Sequence, residues 1–387
     1  MVFDIFATPH EGDFVGLFNK LSLRSLGKTE ELLDNHLRRT RDHHDFGAKN
    51  LRGDPKLEAR ANGLWTPEMG FIRMGINKGF GVEDEGWFDV LVNLTLFLSG
   101  MVNEINVSYS SDKPIVIGGQ YLEKGSYKLV GLDAELSVFD KVDNKLFSLN
   151  RIDGATESYC WVLEHDSSSV FVGPDVQYIK YSNSEWYKFW EGEDKQKSVL
   201  LDRRLFGEKL SAALSCINEF SPRYYDWISL VLKEIAPLKG IKGGTESASF
   251  IFCPGQIHLT EPTSVPSTVS ALIHECSHQY FHMLMWNTVL CDSHAPFAYS
   301  ALKDMERPLS SLLLAHHAVG NILLGLGEIN NKKSFIIHGL EEEISHTKKQ
   351  LLSLNSSINS YNPKYLQGVG YSIFLAINNR LRSFGFL

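Results

Sequence analysis

The stretch His274-Glu275-Cys276-Ser277-His278 sets two imidazoles four residues apart. On an α-helix, residues i and i+4 lie one turn apart on the same face, so both rings can reach one metal ion. Glu275 adds a carboxylate that either activates a metal-bound water or orients a neighbouring group. The flanking residues predict the helix: Val269, Leu272, Ile273, Cys276, Tyr280, Leu284 and Met285 recur at spacings of three and four. Pro266 and Ser267 are the expected start, because serine caps free N–H groups and proline fits a first turn. Ala271 to Ile273 on one side, and Tyr280 and Phe281 on the other, predict a buried helix. Unpaired polar groups there cost roughly several kcal/mol, and one ion satisfies all three. The competing reading is a pair of core histidines held by hydrogen bonds.

The elements that must position this helix follow from the rest of the chain. Its 387 residues, 43% hydrophobic and 22% charged, have the balance of a soluble globular protein. A net charge of -8 argues against wholesale nucleic-acid binding. Five cysteines without a C-x-x-C pair argue against a disulfide framework or a thiolate zinc site. With neither a basic, apolar leader pattern nor a sustained membrane-length run, the expectation is a cytoplasmic protein with no membrane partner. The predicted class is α+β, in two regions. Residues 1–195 are mixed and include short strands: Pro114 to Gly119, Tyr127 to Gly131, Leu136 to Phe139, Tyr159 to Leu163 and Ser168 to Val172. Such strands are a candidate docking surface for an extended peptide. Residues 196–387 are mainly helical and carry the metal motif. Helices are predicted over Leu17 to Asn50, Gly86 to Glu104, Leu205 to Phe220, Tyr224 to Ile235, Leu309 to Leu326 and Ile337 to Leu354, and the C-terminal part, Gln367 to Phe384, carries Arg380 and Arg382. Ser247 to Phe252 and Gly255 to Leu259 read as a hairpin, with His258 structural. His43-His44-Asp45 spells H-x-D but sits in a charged segment without strand alternation, and the aromatic segment Ser182 to Lys197 reads as a surface helix.

Two metal chemistries compete. In a zinc peptidase the histidines bind zinc and Glu275 is the general base. The version with a third histidine after a glycine fails, since Phe281 and Leu284 occupy those positions. His282 lies two turns from His274 and is rotated from it by about 80°, so these histidines do not easily close on one ion. The second chemistry is a non-haem Fe(II) oxygenase, which needs three protein ligands and open positions. A histidine from the downstream helix is the candidate third ligand. His316 and His317 point about 100° apart, so only one can serve. Arg307, at the start of that helix, could hold the distal carboxylate of 2-oxoglutarate.

The ordered set Pro254-Gly255-Gln256-Ile257-His258-Leu259, Leu272 to His278, Ala295-Pro296-Phe297, Arg307-Pro308-Leu309 and His317-Ala318 resembles the HEXXH-motif family of peptide-modification proteins. That resemblance covers roughly residues 205–326. It implies an Fe(II)/2-oxoglutarate-dependent dioxygenase that hydroxylates a side-chain β-carbon of a ribosomally made precursor peptide. It further implies His274, His278 and His317 as iron ligands, with His316 the fallback, and Glu275 as a hydrogen-bonding group beside the iron. Arg307 matches the family's Arg-Pro. The alternatives are the zinc metallopeptidase with Glu275 as base, and a non-catalytic peptide-binding protein.

Overall fold

The computed structural model describes residues 2–37, 58–118, 120–153, 159–163, 170–172, 177–181, 203–237, 246–261, 263–300, 303–361, 363–366 and 368–387. His43-His44-Asp45 and the segment 182–197 lie outside them. Three helices come first: α1 (Phe14–Leu37), α2 (Pro67–Asn77) and α3 (Glu85–Leu98). The strands β1 (Glu104–Ser111), β2 (Ile115–Ile117), β3 (Gln120–Leu122), β4 (Gly125–Leu132), β5 (Glu135–Asp140), β6 (Lys145–Asp153), β7 (Tyr159–Leu163), β8 (Val170–Val172) and β9 (Gln177–Tyr181) follow. Then come α4 (Arg203–Phe220), α5 (Pro222–Val231), β10 (Glu234–Pro237), β11 (Ser247–Ala248), β12 (Gln256–Leu259) and α6 (Val265–Asn287), the helix of the motif. The chain ends with the hairpin β13 (Ala298–Ser300) and β14 (Met305–Arg307), then α7 (Leu309–Lys332), α8 (Leu340–Asn359) and α9 (Gly368–Ser383). The class is α+β, as expected.

One antiparallel sheet runs β1-β4-β5-β6-β7. In β1, Ile105 and Tyr109 are buried and polar residues alternate with them, the pattern of a strand with one covered face. The second sheet runs β11-β12-β10-β9-β8, with β10 parallel to both β12 and β9 and β11 antiparallel to β12. The predicted helix through Ile235 is corrected here: α5 stops at Val231, and Ile235 sits fully buried in β10. A buried parallel strand reads as a continuous apolar run, and Leu230-Val231-Leu232 ran straight into it. The strands β3, β6, β9, β13 and β14 carried no expectation, and β1 begins at Glu104, where the predicted helix from Gly86 was expected to end; that helix stops at Leu98. The β11–β12 pair has the expected antiparallel sense, but the first strand is only two residues long.

The buried cluster extends from Phe6 to Leu381 and joins both predicted regions. Tyr280 of α6 lies at its centre. Its ring stacks on Trp227 at 4.2 Å and meets Phe6 and Phe18 edge-on at 5.0 and 5.4 Å. Its hydroxyl donates to the Trp227 carbonyl at 2.8 Å. α7 is longer than the predicted Leu309 to Leu326. It is apolar enough to cross a membrane by length and composition, yet 78% of its most apolar window is buried inside the molecule.

Glu328 near the end of α7 ties down the N-terminal segment. Its carboxylate meets His10 Nε2 at 2.7 Å and accepts from Ser221 Oγ, the residue before α5, at 2.5 Å. Burial alone raises the Glu328 carboxyl, but the His10 and Ser221 hydrogen bonds outweigh it and hold it below the ordinary value. A carboxyl depressed by folding stabilises the fold above its unfolded value, here 4.5, and that contribution fades as pH falls through the folded value. Denaturant titrations between pH 7 and 3 are expected to show Glu328→Gln losing less stability on acidification than the unsubstituted protein. Parallel pH profiles would exclude this role.

Candidate metal centre

The start of α6 is set by a cap one turn earlier than the sequence suggested. Ser264 is the N-cap, accepting from the Ser267 backbone N–H at 3.3 Å, and Pro266 lies in the first turn. Two adjacent sectors of the helix carry its polar residues, Gln279 lying about 40° round from Glu275. On one, the Gln279 amide is completely paired: its nitrogen donates to the Cys253 and Gln256 carbonyls at 3.2 and 2.9 Å, and its oxygen accepts from Trp65 Nε1 and the Gly255 N–H at 3.1 and 2.9 Å. Gly255 takes φ +72°, and a Cβ there would stand 2.6 Å from the Trp65 carbonyl oxygen, so glycine is required. These bonds fix the turn before β12, and through β12 they fix β11, against the helix.

On the other sector, His274, Glu275, His278 and His282 wall a cavity of about 360 Å³. The His274 and His278 rings meet edge-on with centres 4.4 Å apart. Donor atoms of His274, Glu275 and His278 lie within 4.8 Å of one another. Adjacent donors around an ion with bonds of about 2.1 Å stand roughly 3–3.5 Å apart, so the group closes with small side-chain rotations. Glu275 is buried. Its Oε1 accepts from Ser247 Oγ at 2.6 Å, while Oε2 has no hydrogen-bond partner among the described residues. Burial, then the neighbouring His274, His282 and His317 and the Arg307 cation, hold His278 well below the ordinary histidine range. It is therefore neutral, the form that binds a metal. Two imidazoles and an unsatisfied carboxylate oxygen fit an Fe(II) or Zn(II) ion. His282 lines the same cavity with its ring centre 6.2 Å from that of His278, outside the donor group, as its spacing indicated.

The third ligand expected from α7 is corrected. Ser311, Leu314, Ala315 and Val319 face the cavity. At about 100° per residue they span an arc of about 140°, and His316 and His317 project about 60° beyond either edge of it. His317 is fully buried; its Nε2 donates to the Phe6 carbonyl at 2.7 Å, and the Ser277 carbonyl is its other polar neighbour. Burial, opposed by those two carbonyls, brings it down to about 4. His316 pairs with Asn378 at 3.2 Å and packs on Phe374. Neither histidine lines the cavity. His317→Ala is therefore expected to lower unfolding stability by about 1–3 kcal/mol, by stranding the Phe6 carbonyl, while Co(II) affinity stays within about threefold. Loss of Co(II) binding in a folded variant would restore His317 to the metal.

Arg307 does reach the cavity. In the β13–β14 hairpin it pairs with Ala298, and Ser300 pairs with Met305 two residues along, so both pairs share the face on which Ser300 and Arg307 line the cavity. Lys303 in the turn joins them. Neither cation makes an ion pair among the described residues. Nothing in the sequence singles out Lys303 or Gln350, which complete the walls together with Ser247 and Ser249. The readable signal was Ser247-Ala248-Ser249, a strand of small residues near a metal helix; Lys303 carried none. No known family model and no curated protein matches the chain.

Proposed function

We propose that the protein is an Fe(II)- and 2-oxoglutarate-dependent dioxygenase that hydroxylates a side-chain β-carbon of a precursor peptide. One observation carries the reading: the His274–Glu275–His278 donor group shares its cavity with Lys303 and Arg307, two cations without an ion-pair partner among the described residues. A metal-chelating dicarboxylate needs this combination, donors at one end and cations at the other. With His317 committed elsewhere, Glu275 is the third donor within reach: it directly follows His274 and so diverges from it on the helix, but its side chain brings a carboxylate oxygen within 4.8 Å of both imidazole donors, which would make a two-histidine, one-carboxylate set. Bound iron, with 2-oxoglutarate and O2, supplies the oxidising power: the peptide C–H becomes C–OH, and 2-oxoglutarate yields succinate and CO2. The chain's own residues hold the ion, orient the co-substrate carboxylates and, through Leu314, Ala315 and Val319, exclude water. The reading makes the cytoplasm its setting and a ribosomally made peptide its partner.

The free Glu275 Oε2 favours a second reading, a zinc peptidase in which that oxygen takes a proton from metal-bound water. Anaerobic titration of the Fe(II) protein with 2-oxoglutarate separates the two. A visible charge-transfer band, followed by a +O peptide and equimolar succinate in air, is the expected result. Arg307→Ala should raise the 2-oxoglutarate concentration at half-saturation by about tenfold to a hundredfold, the range for a lost hydrogen bond to a charged group. No band, with tightly held zinc and peptide cleavage lost in Glu275→Gln, would establish the peptidase instead.

A further inference from the structure

Beside the metal group lies a strand with one unused edge. β11 ends its sheet: β12 pairs on one side, and no strand pairs on the other among the described residues. The phase of the ladder shows which groups are free. Thr260 N–H donates to the Glu246 carbonyl at 2.9 Å, and Glu246 N–H returns to Thr260 Oγ1 at 2.7 Å. Residues 246 and 260 therefore face each other through their backbones, and the next position, Ser247 opposite Leu259, is the non-bonded one. The Ser247 N–H and C=O consequently point away from β12.

The cavity lies along that edge. Ser247 and Ala248 project to opposite sides of the strand, yet both line the cavity, and so does Ser249 just beyond the strand's end. A space resting on only one face of the strand would touch alternate residues. The Ser249 hydroxyl is buried against it without a partner. Ser247 also touches the metal group directly, through Oγ to Glu275 Oε1.

From this juxtaposition we infer that the substrate is an extended polypeptide that adds to β11 as a further strand, its backbone bonded to the Ser247 N–H and C=O. The inference rests on the reading of His274, Glu275 and His278 as a metal centre. A strand seated about 4.8 Å beyond β11 runs through the cavity. Its side chains alternate between the two sides, so only every second residue presents its β-carbon to α6. Two adjacent residues are not modified in one register.

The test uses Co(II)-loaded protein and a chelating probe, acetyl-trialanyl hydroxamate, against acetohydroxamate alone. The tripeptide is expected to bind about tenfold tighter or better, from two added backbone hydrogen bonds. N-Methylation at one alanine should remove that gain, N-methylation at the next should leave it, and amide exchange at Ser247 should slow in the complex. No gain with length, equal losses for the two N-methyl isomers, or unchanged exchange at Ser247 would overturn strand addition alone. Failure of acetohydroxamate itself to bind would overturn the metal reading beneath it.

Discussion

Replacing His274 and His278 together by alanine is expected to reduce divalent-ion affinity by well over a hundredfold and to abolish product formation. Losing a partner that merely orients a ligand costs about 10–100-fold in metal affinity, and here two ligands themselves are removed. The measurement is Co(II) titration followed in the visible spectrum, beside product analysis. Retained tight binding would move the metal elsewhere. The same site makes a prediction of opposite sign for stability. The His278 Nδ1 is buried without a hydrogen-bond partner, and neighbouring histidines and Arg307 disfavour its charge. A polar group left in this condition destabilises the metal-free fold. His278→Leu, close in volume, is therefore expected to match or exceed the unsubstituted metal-free protein in denaturant midpoint while losing the ion. Function and stability pull apart at that residue. A large loss of stability would mean that His278 makes a structural contact instead.

The second large effect belongs to the opposite side of the same helix. Tyr280→Ala is expected to lower unfolding stability by about 3–5 kcal/mol, the usual range for deleting a buried aromatic ring. Its ring is fully buried between Trp227, Phe6 and Phe18, which come from three separate parts of the chain. Tyr280→Phe keeps the ring and loses only the bond to the Trp227 carbonyl, at a cost of about 1 kcal/mol. Chemical denaturation of the two variants measures the difference. Near-equal midpoints would show that the cluster closes around the missing ring.

α6 was legible because local pattern decides it: apolar residues at helical spacing, a proline in the first turn, and two histidines whose separation fixes their common face. Its cap was misjudged by three residues because Ser264 and Ser267 both suit the role, and the Ser267 hydroxyl does bond back to Ser264. His317 was misassigned for a different reason. Periodicity places it on a helix, but which arc of α7 faces α6 depends on how Leu314, Ala315 and Val319 pack, and on the Phe6 carbonyl, some 300 residues away in sequence. Arg307 reached the cavity because a short hairpin feeds directly into α7. Ile235 shows the same limit as His317. Its local run is apolar enough for either helix or strand, and the decision lies with β12 and β9, which flank it.

All three donors of the metal group fall within residues 274–278, a single turn of α6. An ion bound there closes a loop of about one helical turn and so removes little freedom from the unfolded chain, since closure entropy grows with the length bridged. A site drawing ligands from distant segments acts as a clasp on the fold; this one is a passenger on a helix already held by Tyr280 and Gln279. An ion bound there would therefore leave, exchange or change identity while the protein stays folded, and selection among metals would fall to the supply of ions and to the ligands brought by substrates.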